Sequence, residues 1–193
     1  MTKRTEAERR KQFEEEALVH LDLLYNSAVQ MTRNVADAQD LVQETFVKAY
    51  RFFDKFTRGT NCKAWLFKIM KNNYINTFRK RSKQPTRVDF EDVAGLLQAA
   101  PEPAIPTGSE RDIKEVFEEL IEDDIKEALD ELPFDFKMAV VLSDIEGFSY
   151  QEIADIMECP IGTVRSRLSR ARKFLHSKLY EFAKQRGIVK TQQ

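Results

Sequence analysis

Cysteine and histidine are scarce in this 193-residue chain, with two of each, and that scarcity excludes several kinds of chemistry. Cys62 and Cys159 lie far apart and have no CxxC or Cys/His companion at ligand spacing. Neither a zinc site nor a disulfide framework is indicated, and both are expected as reduced, part-buried thiols. His20 and His176 lack neighbours of catalytic type and read as surface or boundary residues. The acid pair Asp123-Asp124 has no companion base, nucleophile or metal-spaced cluster, so an enzyme is not expected, nor a metal or a cofactor. No apolar run approaches the roughly twenty residues that span a bilayer. The opening MTKRTEAERRKQFEEE carries no hydrophobic signal segment. The expectation is a cytoplasmic protein with no membrane contact of its own. Alternating strand patterns of convincing length are also missing.

What the chain does have is helical periodicity and an uneven distribution of charge. Apolar residues make up 42% of it, enough for real cores in one domain or two small ones. Residues 63–87 carry eight Lys/Arg and no acid, residues 160–193 carry nine against one, and residues 111–131 hold ten acids against three bases. Two basic surfaces separated by an acidic one suit two contacts with a polyanion. Four of the six prolines fall between Pro85 and Pro106 and mark a linker over 84–110, which holds one apolar patch, Val93, Leu96 and Leu97. The fold class is all-α: two small helical domains, 10–83 and 111–185, joined by a flexible linker, the second one a helix-turn-helix. Helices are expected over about 6–31, 35–53, 61–71 and 73–82, then 110–130, 134–145, 149–157 and 161–184.

The clearest local signal is SYQEIADIMECPIGTVRSRLSRARK, from Ser149 to Lys173. Ser149 and Glu152 have capping-box spacing. Ile153, Ala154, Ile156 and Met157 form an apolar face, and Cys159-Pro160 breaks the run. In the helix that follows, Val164, Leu168, Ala171 and Leu175 share a buried stripe, and the opposite face carries Ser166, Ser169, Arg170 and Lys173. Arg165 and Arg172 share one flank and Arg167 takes the other. Hydroxyls and guanidinium groups so arranged suit base edges in a major groove with phosphate clamps alongside.

The first domain has two features of its own. Asn34 is placed to cap a helix on which Val42, Phe46, Ala49 and Phe53 point inward. Asp40, Gln43, Glu44, Val47, Lys48 and Arg51 point outward, and an apolar Val47 among those charges suggests a protein contact. NCKAWLFKIMKNNYINTFRKRSK then interleaves Trp65, Phe67, Tyr74 and Phe78 with Lys63, Lys68, Lys71, Arg79, Lys80 and Arg81. That composition suits single-stranded nucleic acid, although Trp65 is expected to be mainly structural. Asn72-Asn73 is read as a loop between two helices whose amides face a base edge.

Taken in order, DAQDLVQETFVKAYRFFDKF, KAWLFKIMKNNYINTFRKR and LPFDFKMAVVLSDIEGFSYQEIADIMECPIGTVRSRLSRARKFL resemble an extracytoplasmic-function (group IV) sigma factor of bacterial RNA polymerase, of the sigma-70 family. Within it, LYNSAVQMTRNVADAQDLVQETFVKAY and GTNCKAWLFKIMKNNYINTFRK are most similar to the SigR/SigH subgroup, which controls thiol-stress responses under a zinc-containing anti-sigma factor. The resemblance implies a region 2 domain and a region 4 domain that direct core polymerase to promoters and assist melting. Asp40, Gln43, Glu44, Val47 and Lys48 would bind the clamp helices of the largest subunit, and the polymerase flap would be a second contact. Lys63, Trp65, Asn72, Asn73 and Asn76 would engage the -10 element, with Arg79, Lys80 and Arg81 on nearby backbone. Arg165, Ser166, Arg167, Ser169, Arg170, Arg172 and Lys173 would bind the -35 duplex. Ser143 stands where some relatives have a phosphate-touching arginine, so that contact is not carried over. A repressor could own the same helix-turn-helix, but it would have no use for the basic-aromatic segment.

Overall fold

The computed structural model describes residues 5–81 and 122–186, and every element in them is helical. The linker, with Val93, Leu96 and Leu97, lies outside the described residues, as do the side chains of 78–81 and 122–123. The chain divides into two units, Met1–Thr86 with Phe148–Ile161, and Arg87–Gly147 with Gly162–Gln193.

In the first unit, α1 (Glu6–Glu16) starts at Thr5, whose hydroxyl accepts from the Glu8 amide while the Glu8 carboxylate accepts from the Thr5 amide. A 3₁₀ turn, Leu18–His20, leads into α2 (Leu21–Thr32), where a single helix over 6–31 was expected. Phe13, Leu24 and Met31 would share one face of an unbroken helix, so periodicity carries no mark of this break. Asn34 caps α3 (Val35–Arg51) by accepting from the Asp37 amide at 3.0 Å. A second 3₁₀ turn, Phe53–Lys55, precedes α4 (Cys62–Arg81).

α3 packs against both α2 and α4. Its buried residues are therefore Ala38, Leu41, Val42, Thr45 and Ala49, a wider face than one stripe, while Phe46 is only half-buried. Phe13, the one buried residue of α1, meets Phe46, Tyr50 and Phe53 edge-on.

The second unit holds α5 (Glu122–Glu131), α6 (Phe134–Val140), a π turn (Val141–Ile145) and α8 (Ile161–Gln185). Ala128, Leu179 and Ala183 form a core flanked by Ile125, Leu175 and Phe182. Val164, Leu168, Ala171 and Phe174 continue the buried stripe of α8. Ion pairs join the same elements: Lys178 to Glu131 at 2.8 Å and Arg186 to Asp124 at 2.7 Å. The acids around residue 125 thus neutralise the C-terminal half of α8 and leave the basic character to its N-terminal half. α7 (Tyr150–Met157), counted with the first unit, has the expected Ser149/Glu152 capping box and ends at Glu158 in the left-handed region.

Candidate polymerase and promoter interfaces

α3 presents Asp40, Gln43 and Val47 to solvent, Val47 at 56% exposure. Glu44 and Lys48, expected on the same outward face, turn instead toward α4. Lys48 Nζ lies 2.7 Å from Glu44 Oε1 and donates to Asn73 Oδ1 at 2.6 Å. Beside Val47 runs an apolar groove lined by Leu18, Leu21, Tyr25, Val42 and Phe46. Sequence reading missed the contribution of Leu18, Leu21 and Tyr25. Its signal was present in ALVHLDLLY, where apolar residues outnumber what one buried face needs.

α4 is one continuous helix, which corrects the loop expected at Asn72-Asn73. Asn73 is 2% exposed and its amide is engaged by Lys48 and by the hydroxyl of Thr45, so tertiary partners satisfy the side chain that would otherwise compete with the helix backbone. A base contact by Asn73 does not fit this placement. Asn72 is half-buried and Asn76 exposed. Trp65 is half-buried against Phe53 and Phe56, in the structural role expected of it. Arg79, Lys80 and Arg81 occupy the last turn of α4.

The basic side of α4 carries α7 and the residues just before it. Lys63 lies over the Phe148 ring at 4.7 Å, and Phe67 meets that ring edge-on. Lys68 and Lys71 both reach Glu158, at 3.2 and 2.8 Å, and the Asn61 amide donates to Glu152 at 2.6 Å. The hydrogen bond from Lys71, with Lys68 adding to it, outweighs burial and holds the Glu158 carboxyl below its ordinary range. At Glu152 the backbone and hydroxyl hydrogen bonds of Ser149 act in the same direction. Depressed carboxyls contribute stability above their unfolded value, about 4.3, and lose it as pH falls through the lower folded value. The Phe67–Phe148 ring contact, followed by nuclear Overhauser effects, is therefore expected to persist at pH 6 and to weaken by about pH 3. A contact unchanged after both carboxylates have titrated would contradict this.

On α8, Arg165, Ser169 and Lys173 are exposed, Arg170 is half-buried and Ser166 donates to the Thr163 carbonyl at 2.9 Å. Two of the three flanking arginines, Arg167 and Arg172, have protein partners. Arg167 pairs with Asp135 at 2.8 Å, and Arg172 donates to Asp144 through Nε at 3.1 Å and to Ser143 Oγ at 3.1 Å. Ser143 and Asp144 both lie in the π turn. Burial alone would raise the Asp144 carboxyl, but the hydrogen bonds of Arg172 and Ser143 hold it below the usual carboxylate value. The expectation that the Arg172 flank is open to phosphate is corrected accordingly: its guanidinium is shared with an acid.

The order of these surfaces along the chain agrees with two family matches, Sigma-70 region 2 over residues 18–84 and Sigma-70 region 4 over residues 122–175. The sigma-E factor of Haemophilus influenzae is 35% identical over 153 residues, covering 77% of this chain and 79% of its own. The chain belongs to the ECF RNA polymerase sigma factors. EcfG of Rhodopseudomonas palustris is 37% identical over 79% of this chain and 77% of its own. Among solved structures, RpoE of Bartonella quintana, crystallised with the anti-sigma factor NepR, matches with a TM-score of 0.65 and 35% identity, covering 88% of this chain and 98% of its own. CnrH, solved with the cytosolic domain of CnrY, shares the fold at a TM-score of 0.61 and 24% identity. An ECF sigma factor recognises promoters for RNA polymerase and is not itself an enzyme.

The scarce residues add little further chemistry. Burial, and to a lesser degree Glu16, pushes the Cys62 thiol up to about 11, so it stays protonated near neutrality. Burial, followed by the charge of Lys63, lowers the pKa of His20. Among the described residues no His/Cys/Asp/Glu group could hold a metal ion, and no helix is long and apolar enough to cross a membrane.

Proposed function

We propose that this sigma factor divides its work between two domains, 10–83 and 111–185, along the surfaces described above. Asp40, Gln43 and Val47, with the groove of Leu18, Leu21 and Phe46, dock the clamp helices of the polymerase largest subunit. Asn72 and Asn76, with Arg79, Lys80 and Arg81 at the end of α4, engage the -10 element. Arg165, Ser169, Arg170 and Lys173 on α8 read the -35 duplex, and the same domain contacts the polymerase flap. The observation that supports the division best is the exposed Val47 beside an apolar groove, since an apolar side chain among charges is stabilised by a protein contact rather than by DNA.

Each promoter element is short, so two weak contacts become specific only when the polymerase fixes their spacing. In a gel-shift at physiological salt, the protein alone is expected to bind promoter duplex poorly, and specific binding is expected with core polymerase. Tight specific binding by the protein alone would favour a repressor. RpoE of Bartonella quintana was solved bound to an anti-sigma factor, which supports the same kind of control for this chain in the cytoplasm. Membership in the thiol-stress subgroup, with a zinc-containing anti-sigma partner, rests on the two segments at residues 24–50 and 59–80.

A further inference from the structure

A chain of hydrogen bonds, buried at Thr45 and Asn73 and part-exposed at Lys48 and Glu44, joins the helix assigned to polymerase with the helix assigned to the -10 element. It starts at Thr45, fully buried on α3, whose hydroxyl donates to the Leu41 carbonyl at 2.7 Å. With its proton committed, Thr45 Oγ1 accepts from the Asn73 amide nitrogen at 3.2 Å. That contact fixes the orientation of the amide, because only the oxygen is then left for Lys48 Nζ, 2.6 Å away. Lys48 is shared with Glu44, and the second Glu44 oxygen accepts from the Thr77 hydroxyl at 3.5 Å. Asn73 and Thr77 are one turn apart on α4, and Thr45 and Lys48 one turn apart on α3, so the chain ties the two helices over a full turn on each side.

We propose that Asn73 is a positioning residue that acts through Lys48. It holds α4 in a set register against α3, so that docking of polymerase on α3 also places the -10 contacts of α4, and it reads no base itself. The inference rests on the assignment of the α3 face to polymerase. Asn73 and Thr45 are the members that water cannot replace, since a buried polar group left without its partner is costly, and Lys48 is the partner of the buried Asn73 oxygen.

The experiment is a double-mutant cycle in reconstituted holoenzyme on a fully paired promoter, with open complexes read by permanganate reactivity and base preference read on a -10 library. All variants are first confirmed folded by circular dichroism, and their affinity for core polymerase is measured. Asn73→Ala and Lys48→Met are each expected to lower open-complex formation about tenfold. The double variant should fall no lower than either alone, because both changes remove the same link. Asn73→Asp keeps an acceptor for Lys48, and Thr45 can turn its proton toward the new carboxylate. It should remain within about threefold of the parent, which also keeps the test decisive if Asn73→Ala folds poorly.

Base preference and polymerase affinity should be unchanged throughout. Losses that multiply, an altered preference at one -10 position, or Asn73→Asp falling below Asn73→Ala as a carboxylate facing DNA would, each overturn the proposal. So does parental melting in both single variants. Val47→Asp, measured for polymerase affinity alongside, reports separately on the docking assignment. If that variant binds polymerase like the parent, the assignment fails and transmission from polymerase fails with it, whereas a non-additive cycle would still establish the Asn73–Lys48 link.

Discussion

Val47→Asp is expected to weaken the complex with core RNA polymerase by about 2 to 4 kcal/mol, roughly thirty- to a thousandfold in affinity, and to leave the fold intact. The two halves of this expectation have different causes. Val47 is 56% exposed, so a carboxylate in its place meets water in the free protein and costs little. Once the apolar groove beside it is covered, the same carboxylate is desolvated without a partner. Surface-immobilised core polymerase gives the affinity directly, and a thermal melt gives the stability. A variant that binds polymerase as well as the parent would remove α3 from the docking surface.

The second large effect lies on α8. Arg170→Ala is expected to cost about 1 to 3 kcal/mol at particular -35 positions, as loss of a bidentate base contact would, with other positions unaffected. Arg172→Ala should behave otherwise. Its pair with Asp144 is substantially exposed, so the stability lost is about 1 kcal/mol or less. Because the Arg172 guanidinium is already shared with Asp144, the loss of binding should be small and even across sequences, with little change in the salt slope. Asp144→Asn removes the acid that shares the Arg172 guanidinium and is expected to strengthen sequence-independent binding. A promoter library titrated at two salt concentrations separates the three variants. Equal, sequence-independent losses for Arg170→Ala and Arg172→Ala would refute the assigned faces of α8.

Local signals were legible in the sequence because their physics is local. Ser149 with Glu152 and Asn34 with Asp37 satisfy amides within three residues of themselves, and both caps form as their spacing indicates. The stripe of Val164, Leu168 and Ala171 follows from helical geometry alone. The outward faces of α3 and α8 were legible in the same way, but not how their members divide. Asp40 and Val47 meet solvent while Glu44 and Lys48, on the same side of the helix by spacing, meet α4.

Tertiary packing decided the rest. Two adjacent asparagines favour a turn by their own chemistry, yet Asn73 finds Thr45 and Lys48 across the interface, residues 28 and 25 positions away, and the helix runs on. The acids around residue 125 read as a separate acidic surface, but Asp124 and Glu131 pair with Arg186 and Lys178, leaving the positive charge of α8 concentrated toward its N-terminal half. By itself the sequence determined where helices begin and which residues one helix turns inward, since those depend on neighbours three or four places away. Which polar side chains are spent inside the protein, and which are left to meet polymerase or DNA, depends on partners dozens of residues distant, and only the folded chain brings those within reach of a hydrogen bond.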